Sequence, residues 1–137
     1  MPEEKKGQVF RKYDLEERTA KFGEAVIEWA RKLVHNVITQ RLIPQLVAAG
    51  TAVGANYCEA DCAESNKDFI HKMSIANKES KEAKHFVRML GKACPEQAPE
   101  GRKLWKEAHE LNLIFMTIVK NAKQTELNKE LKKEEKE

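Results

Sequence analysis

Between Ser65 and Cys94 seven positions, Phe69, Met73, Ala76, Ser80, Ala83, Val87 and Leu90, follow one another in alternating steps of four and three without exception. That interval keeps them on one side of a 3.6-residue helix, whereas a strand would send them to both faces. A strict four-three seam over such a length is bundle-forming and needs other helices to cover it. Ser65 followed three residues later by Asp68 marks the start of this helix. Gly91 and the stretch Cys94 to Pro99, which holds two prolines, end it.

Three further segments supply the partners. Phe22, Val26, Trp29, Leu33 and Val37 predict a helix from about Leu15 to Val37, with Asp14 as N-cap and Glu17 at the capping-box position. Leu42, Leu46, Ala49, Val53 and Ala60 predict a second from about Thr39 to Ala63, with Pro44 in or near its first turn, where a missing N–H is cheapest. Leu104, Ala108, Leu111, Phe115, Ile118 and Ala122 predict a last one from about Pro99. A chain of 137 residues suffices for one domain, and 41% hydrophobic residues with only 7% aromatics suit a Leu-, Ile-, Val- and Ala-built helical core. Six Gly and four Pro are too few for the turns of a sandwich or barrel. The expected fold is all-α, an antiparallel up-and-down four-helix bundle over residues 14–122. A flexible segment, 1–13, precedes it, and a charged tail, 123–137, follows as a frayed or solvated extension in which five Lys balance five Glu. Two long hairpins swapped between protomers would give the same pattern.

The stretch from Ala48 to Asn56 places Gly50 and Gly54 inside a helix, each costing about 1 kcal/mol relative to alanine. Close approach of another helix is the expected compensation, and a ligand or partner lying on the small-residue surface is the alternative. Asn56 and Glu59 on the second helix, and Glu79 and Glu82 on the third, are neighbours at a spacing of three. Bundle di-iron sites need Glu-x-x-His pairs, which are missing here, so these four residues read as a hydrogen-bond network or a binding surface, and no metal or other cofactor is expected. Three cysteines do not make a disulfide framework, and Cys58 and Cys62, one helical turn apart, read as reduced thiols filling small apolar space. Neither a nucleophile elbow nor a phosphate-binding glycine loop occurs, so an enzyme is not expected. No apolar run reaches the roughly 18 residues of a membrane span, and Met1 to Lys12 lacks the apolar core of a secretory signal, so a cytoplasmic location away from membranes is expected.

Charge distribution is more informative than the net +3. Residues 65–94 hold seven Lys or Arg against three acids. Lys67, His71, Lys78, Lys81, His85, Arg88 and Lys92 fall on one stripe, about 200° from the apolar seam. Such a face suits a phosphate backbone, although a lysine-rich solvated face has the same appearance, and no aromatic is interleaved with the basic positions for base stacking.

Tyr13-Asp14-Leu15-Glu16-Glu17-Arg18-Thr19, Gln45-Leu46, Gly54-Ala55-Asn56-Tyr57 with Glu59-Ala60, Lys67-Asp68-Phe69-Ile70, Ile75-Ala76, and Lys78-Glu79 with Glu82 resemble the four-helix-bundle proteins of the 23S rRNA intervening-sequence family, also called S23 ribosomal proteins. The likeness covers about residues 10 to 92. It implies an antiparallel four-helix bundle assembled as a homopentamer. The family is similar to the accessory variability determinant protein of diversity-generating retroelements, a pentamer that binds a reverse transcriptase and nucleic acid. By that resemblance the basic third-helix residues are candidates for contact with RNA, DNA or a protein partner, and Asn56, Glu59, Glu79 and Glu82 match family motif positions. The expected role is therefore that of a non-enzymatic oligomeric accessory or adaptor protein, with a purely structural or protein-interaction oligomer as the alternative.

Overall fold

The computed structural model describes residues 6–136, with side chains from Leu15 onward. Four α-helices follow one another: α1 (Lys6–Lys32), α2 (Thr39–Asp61), α3 (Asn66–Ala93) and α4 (Ala98–Lys136), with a single 3₁₀ turn, Pro95–Gln97, leading into the last. Short connections force neighbours to run antiparallel. Contacts run from α1 to α2, α2 to α3, α3 to α4 and back from α4 to α1, which closes the bundle within one chain. The swapped arrangement is not needed to cover any helix.

Alternating large and small side chains fill the centre. Phe22, Val26 and Trp29 of α1, with Leu33 just past its end, meet Leu46, Val53 and Tyr57 of α2, Met73, Val87 and Leu90 of α3, and Leu104, Leu111 and Phe115 of α4. In the α3 seam Phe69 is half-buried and the other six positions are buried. Ser80, the one polar member, donates its hydroxyl proton to the Asn77 carbonyl at 2.7 Å, so it carries no unsatisfied group into the core. Ser65 is the N-cap of α3, its Oγ accepting from the Asp68 backbone N–H at 3.1 Å.

The paired glycines of α2 face α1. A Cβ on Gly50 would stand 2.8 Å from Val26 Cγ2, and one on Gly54 would stand 3.2 Å from Thr19 Oγ1. Losing two methyl groups lets the α1 and α2 backbones approach closely, and this packing offsets the helical cost of glycine.

Three expectations need correction. Helix α1 starts at Lys6, so Asp14 lies inside it and is no N-cap, and Glu17 has no capping-box partner. Residues 1–5 of the expected N-terminal segment lie outside the described residues. Helix α1 also ends at Lys32, leaving Val37 at 76% exposure in the connection instead of in the core. There Asn36 Oδ1 accepts from the N–H groups of Ile38 and Thr39, and the Thr39 hydroxyl donates to the Val34 carbonyl at 2.6 Å. This turn chemistry starts α2, and it places Pro44 in the second helical turn, next to the first.

At the other end α4 continues without a break to Lys136. Asn66 holds its middle, donating to the Ala122 carbonyl at 3.0 Å and to Glu126 Oε2 at 2.8 Å. Beyond that point only Leu127 and Leu131 are apolar, and both are exposed. Among the described residues no helix is long and apolar enough to cross a membrane.

Candidate nucleic-acid interface

Helix α3 packs extensively on two neighbours, α2 on one side and α4 on the other. Its seam therefore fixes its rotation, and the opposite arc has to face outward. Lys67, His71, Lys78, Lys81, His85, Arg88 and Lys92 are all exposed. From Lys67 to Lys92 the stripe spans about 37 Å, close to one turn of a B-form duplex. Among the described residues none of its five Lys and Arg side chains takes part in an ion pair. Lys72, off that arc, does: it meets Glu59 Oε1 at 3.3 Å and ties α2 to α3.

The acids of the bundle are engaged elsewhere. Arg18 of α1 makes a two-pronged pair with Glu107 of α4, at 2.7 and 2.8 Å, and Lys32 meets Glu100 at 2.8 Å. Carboxylates of α4 thus turn toward α1, while Arg102 turns toward α3. Arg102 shares a groove with Arg88 and Lys92, and the cationic surface of α3 continues onto α4 there.

The same groove holds Trp105, with 37% of its surface exposed. On α3 the half-buried Phe86 meets the His85 ring edge-on at 5.2 Å, and in space α4 brings a second aromatic alongside the basic positions. Trp105 is one residue off the buried α4 stripe, next to Leu104, and an aromatic displaced from an apolar face is the sequence signal that marks it. The ring is braced from behind. His109, one turn on, stacks on it with ring centroids 5.1 Å apart, and Lys84 Nζ lies 5.4 Å from its centroid. Lys84 in turn reaches His109 Nδ1 at 3.1 Å and Asn112 Oδ1 at 3.4 Å. Asn112, buried, donates to Asn77 Oδ1. This chain of polar groups between α3 and α4 escaped sequence reading, since single polar residues 35 positions apart carry no periodic signal.

The four motif residues on α2 and α3 are not joined into one network. Asn56 donates to the Ala52 carbonyl of its own helix at 2.9 Å, and Glu59 is held by Lys72. Glu79 and Glu82 do meet. Burial, a hydrogen bond to Glu82 and the charge of Glu82 together push the Glu79 carboxyl up from 4.5. Among the described residues no three His, Cys, Asp or Glu side chains converge as a metal would require.

The cysteine expectation is also corrected: Cys58 and Cys62 are exposed, not core filler, and only Cys94 is buried. Desolvation, followed by the nearby Glu16 and Asp61 charges, pushes the Cys58 thiol up, which disfavours the reactive thiolate. Burial and the same two acids push the Tyr57 phenol up to about 12.

The sequence pattern of the 23S rRNA-intervening sequence protein family matches residues 11–115. No curated protein matches the chain. Among solved structures, the chain is similar to a crystal structure from Bacteroides thetaiotaomicron VPI-5482, a protein with unknown function from the S23 ribosomal protein family. The two share 25% identity and superpose with a TM-score of 0.70, over 80% of this chain and 97% of the other.

Proposed function

The chain belongs to the 23S rRNA-intervening sequence protein family, and from that footing we propose that it is a non-enzymatic accessory protein that binds nucleic acid through the outward face of α3. The observation that carries this reading is the row of five exposed Lys and Arg side chains, none of them in an ion pair among the described residues, on one arc of an unbroken 28-residue helix. Phosphates spaced along a duplex would replace water and counterions on that arc.

If all five cations neutralise phosphates on B-form DNA, log K should fall against log salt with a slope of about −4.5. Between 50 and 200 mM salt that is a loss of about 500-fold. Charge reversal of Lys78, Lys81 and Arg88 leaves Lys67 and Lys92, and should weaken binding at low salt by about 100-fold or more and bring any remaining slope to about −2 or shallower. Fluorescence anisotropy with labelled RNA and DNA duplexes reads both quantities. Absence of binding by the unaltered protein at low salt ends the proposal.

A second reading, a homo-oligomer that engages only protein, is favoured by Leu113, Met116, Leu127 and Leu131. These exposed residues of α4 fall within about 60° of one another around the helix. Self-association along that stripe is compatible with the first reading, and a homopentamer would sum five cationic faces. Light scattering measures the state; a monomer removes the summed field.

A further inference from the structure

The groove between the end of α3 and the start of α4 has a composition that duplex contact alone does not use. Its volume is about 350 Å³, at the lower end of the range for small-ligand pockets. Arg88 and Lys92 border it from α3 and Arg102 from α4, while Val87, Ala98 and the exposed part of Trp105 supply apolar surface. No carboxylate lines it. Glu100, on the same turn of α4 as Arg102, is held on the other side by Lys32 at 2.8 Å.

Gly91 keeps the groove open. Its φ is not positive, and an added Cβ would stand 3.7 Å from the Ala98 Cβ, an ordinary contact. Neither backbone conformation nor helix packing therefore asks for glycine there. The neighbouring Gly101 is different, since a Cβ on it would strike the Trp29 ring at 2.6 Å. A side chain longer than alanine at position 91 would extend into the space in front of Trp105.

We propose that this groove is a subsite for one nucleotide of a single-stranded segment, its base lying on Trp105 and its phosphate held among Arg88, Lys92 and Arg102. The site rests on the nucleic-acid reading above and specifies it: the α3 arc takes a phosphate backbone of any form, and the groove takes an unpaired base. A paired base is not available for stacking on a side chain, so the groove adds affinity only where a strand is open, at an end, a loop or a bulge. His109 and Lys84, which contact the indole without lining the groove, fix its plane before the base arrives, which lowers the ordering cost of binding.

The test uses the full chain with an oligouridylate single strand and a blunt RNA duplex of equal length, both at low salt. Trp105→Leu should weaken binding of the single strand by about 5- to 150-fold and leave duplex affinity within about twofold. Trp105→Phe, which keeps an aromatic face, should restore most of the loss. Gly91→Gln, which occupies the groove without altering charge or ring, should weaken the single strand in the same way, and it does so independently of whether Trp105→Leu folds. Indole emission of the unaltered protein should be quenched by the unlabelled single strand and not by the duplex, with buried Trp29 as the constant background. If Trp105→Leu and Gly91→Gln bind the single strand as tightly as the unaltered protein, while Lys78→Glu with Lys81→Glu abolishes binding, the subsite is wrong and the α3 reading survives. If the unaltered protein binds neither probe, both fall.

Discussion

Replacing Gly101 by alanine adds one methyl group to the first turn or so of α4, at a place where the ring of Trp29 already stands. The new Cβ would lie 2.6 Å from Trp29 Cζ2 and 3.0 Å from Cη2, against an ordinary carbon separation of about 3.5–4.0 Å. Ring or helix must move by about 1 Å. The ring has little room, being 1% exposed and tethered by its indole N–H to the Gln97 carbonyl at 2.9 Å. Overpacking of this kind costs about 1–3 kcal/mol, and a weakened tether adds about 0.5–1.5 kcal/mol. Alanine returns about 1 kcal/mol of helix propensity. The net expectation is a loss of about 2 kcal/mol, or about 8 °C in Tm for a domain of this size. Urea unfolding followed by far-ultraviolet circular dichroism measures it. In a Trp29→Phe background the offending atoms and the tether are gone, so Gly101→Ala should become neutral or stabilising there, giving a coupling energy of about 2–3 kcal/mol in the cycle. A Gly101→Ala protein as stable as its parent, or one destabilised equally in both backgrounds, would refute the packing argument.

Two further outcomes follow from the polar groups. Asn112→Ala removes the acceptor of Lys84 and the donor to Asn77 and leaves a small void, so it should destabilise by about 1–3 kcal/mol in urea unfolding; a change below about 0.5 kcal/mol would mean the chain between α3 and α4 is ornamental. Glu79 is an acid whose folded-state affinity for a proton is raised, so the folded protein holds that proton where the unfolded chain releases it. Its contribution favours folding below pH about 4.5 and is lost as pH rises through the raised value. Unfolding curves across that range should show Glu79→Gln gaining on the unaltered protein as pH increases; parallel curves would show that neither burial nor Glu82 raises the proton affinity of Glu79.

The α3 seam was legible because one period repeats without error and nothing interrupts it. The same period placed its basic arc outward, and Gly50 and Gly54 announced the close approach of another helix. Boundaries were less legible. Val37 fits the α1 stripe in number but lies inside a turn built by Asn36 and Thr39, whose side-chain bonds to backbone outweigh the apolar pattern. The α1 start was misplaced because Asp14 followed by Glu17 has the spacing of a cap while lying inside the helix. For the basic surface, periodicity orients one helix at a time. It placed seven exposed residues on one arc of α3 and missed Arg102 and Trp105, which adjoin them only through the crossing of α3 and α4. The four motif residues on α2 and α3 share a spacing, yet their partners are set by what each face meets: Lys72 for Glu59, the Ala52 carbonyl for Asn56, and Glu82 for Glu79.

The seating of α2 on α1 acts as a lock with a single depth. Gly50 lies opposite Val26 and Gly54 opposite Thr19. Sliding α2 by one helical turn, about 5.4 Å, would present Leu46 to Val26 in one direction or Cys58 to Thr19 in the other, a side chain where even a Cβ is crowded. Axial slippage between these two rods is thus closed off by sterics alone, and a change of loop length at residues 33–38 can alter how the chain turns without altering where the helices meet.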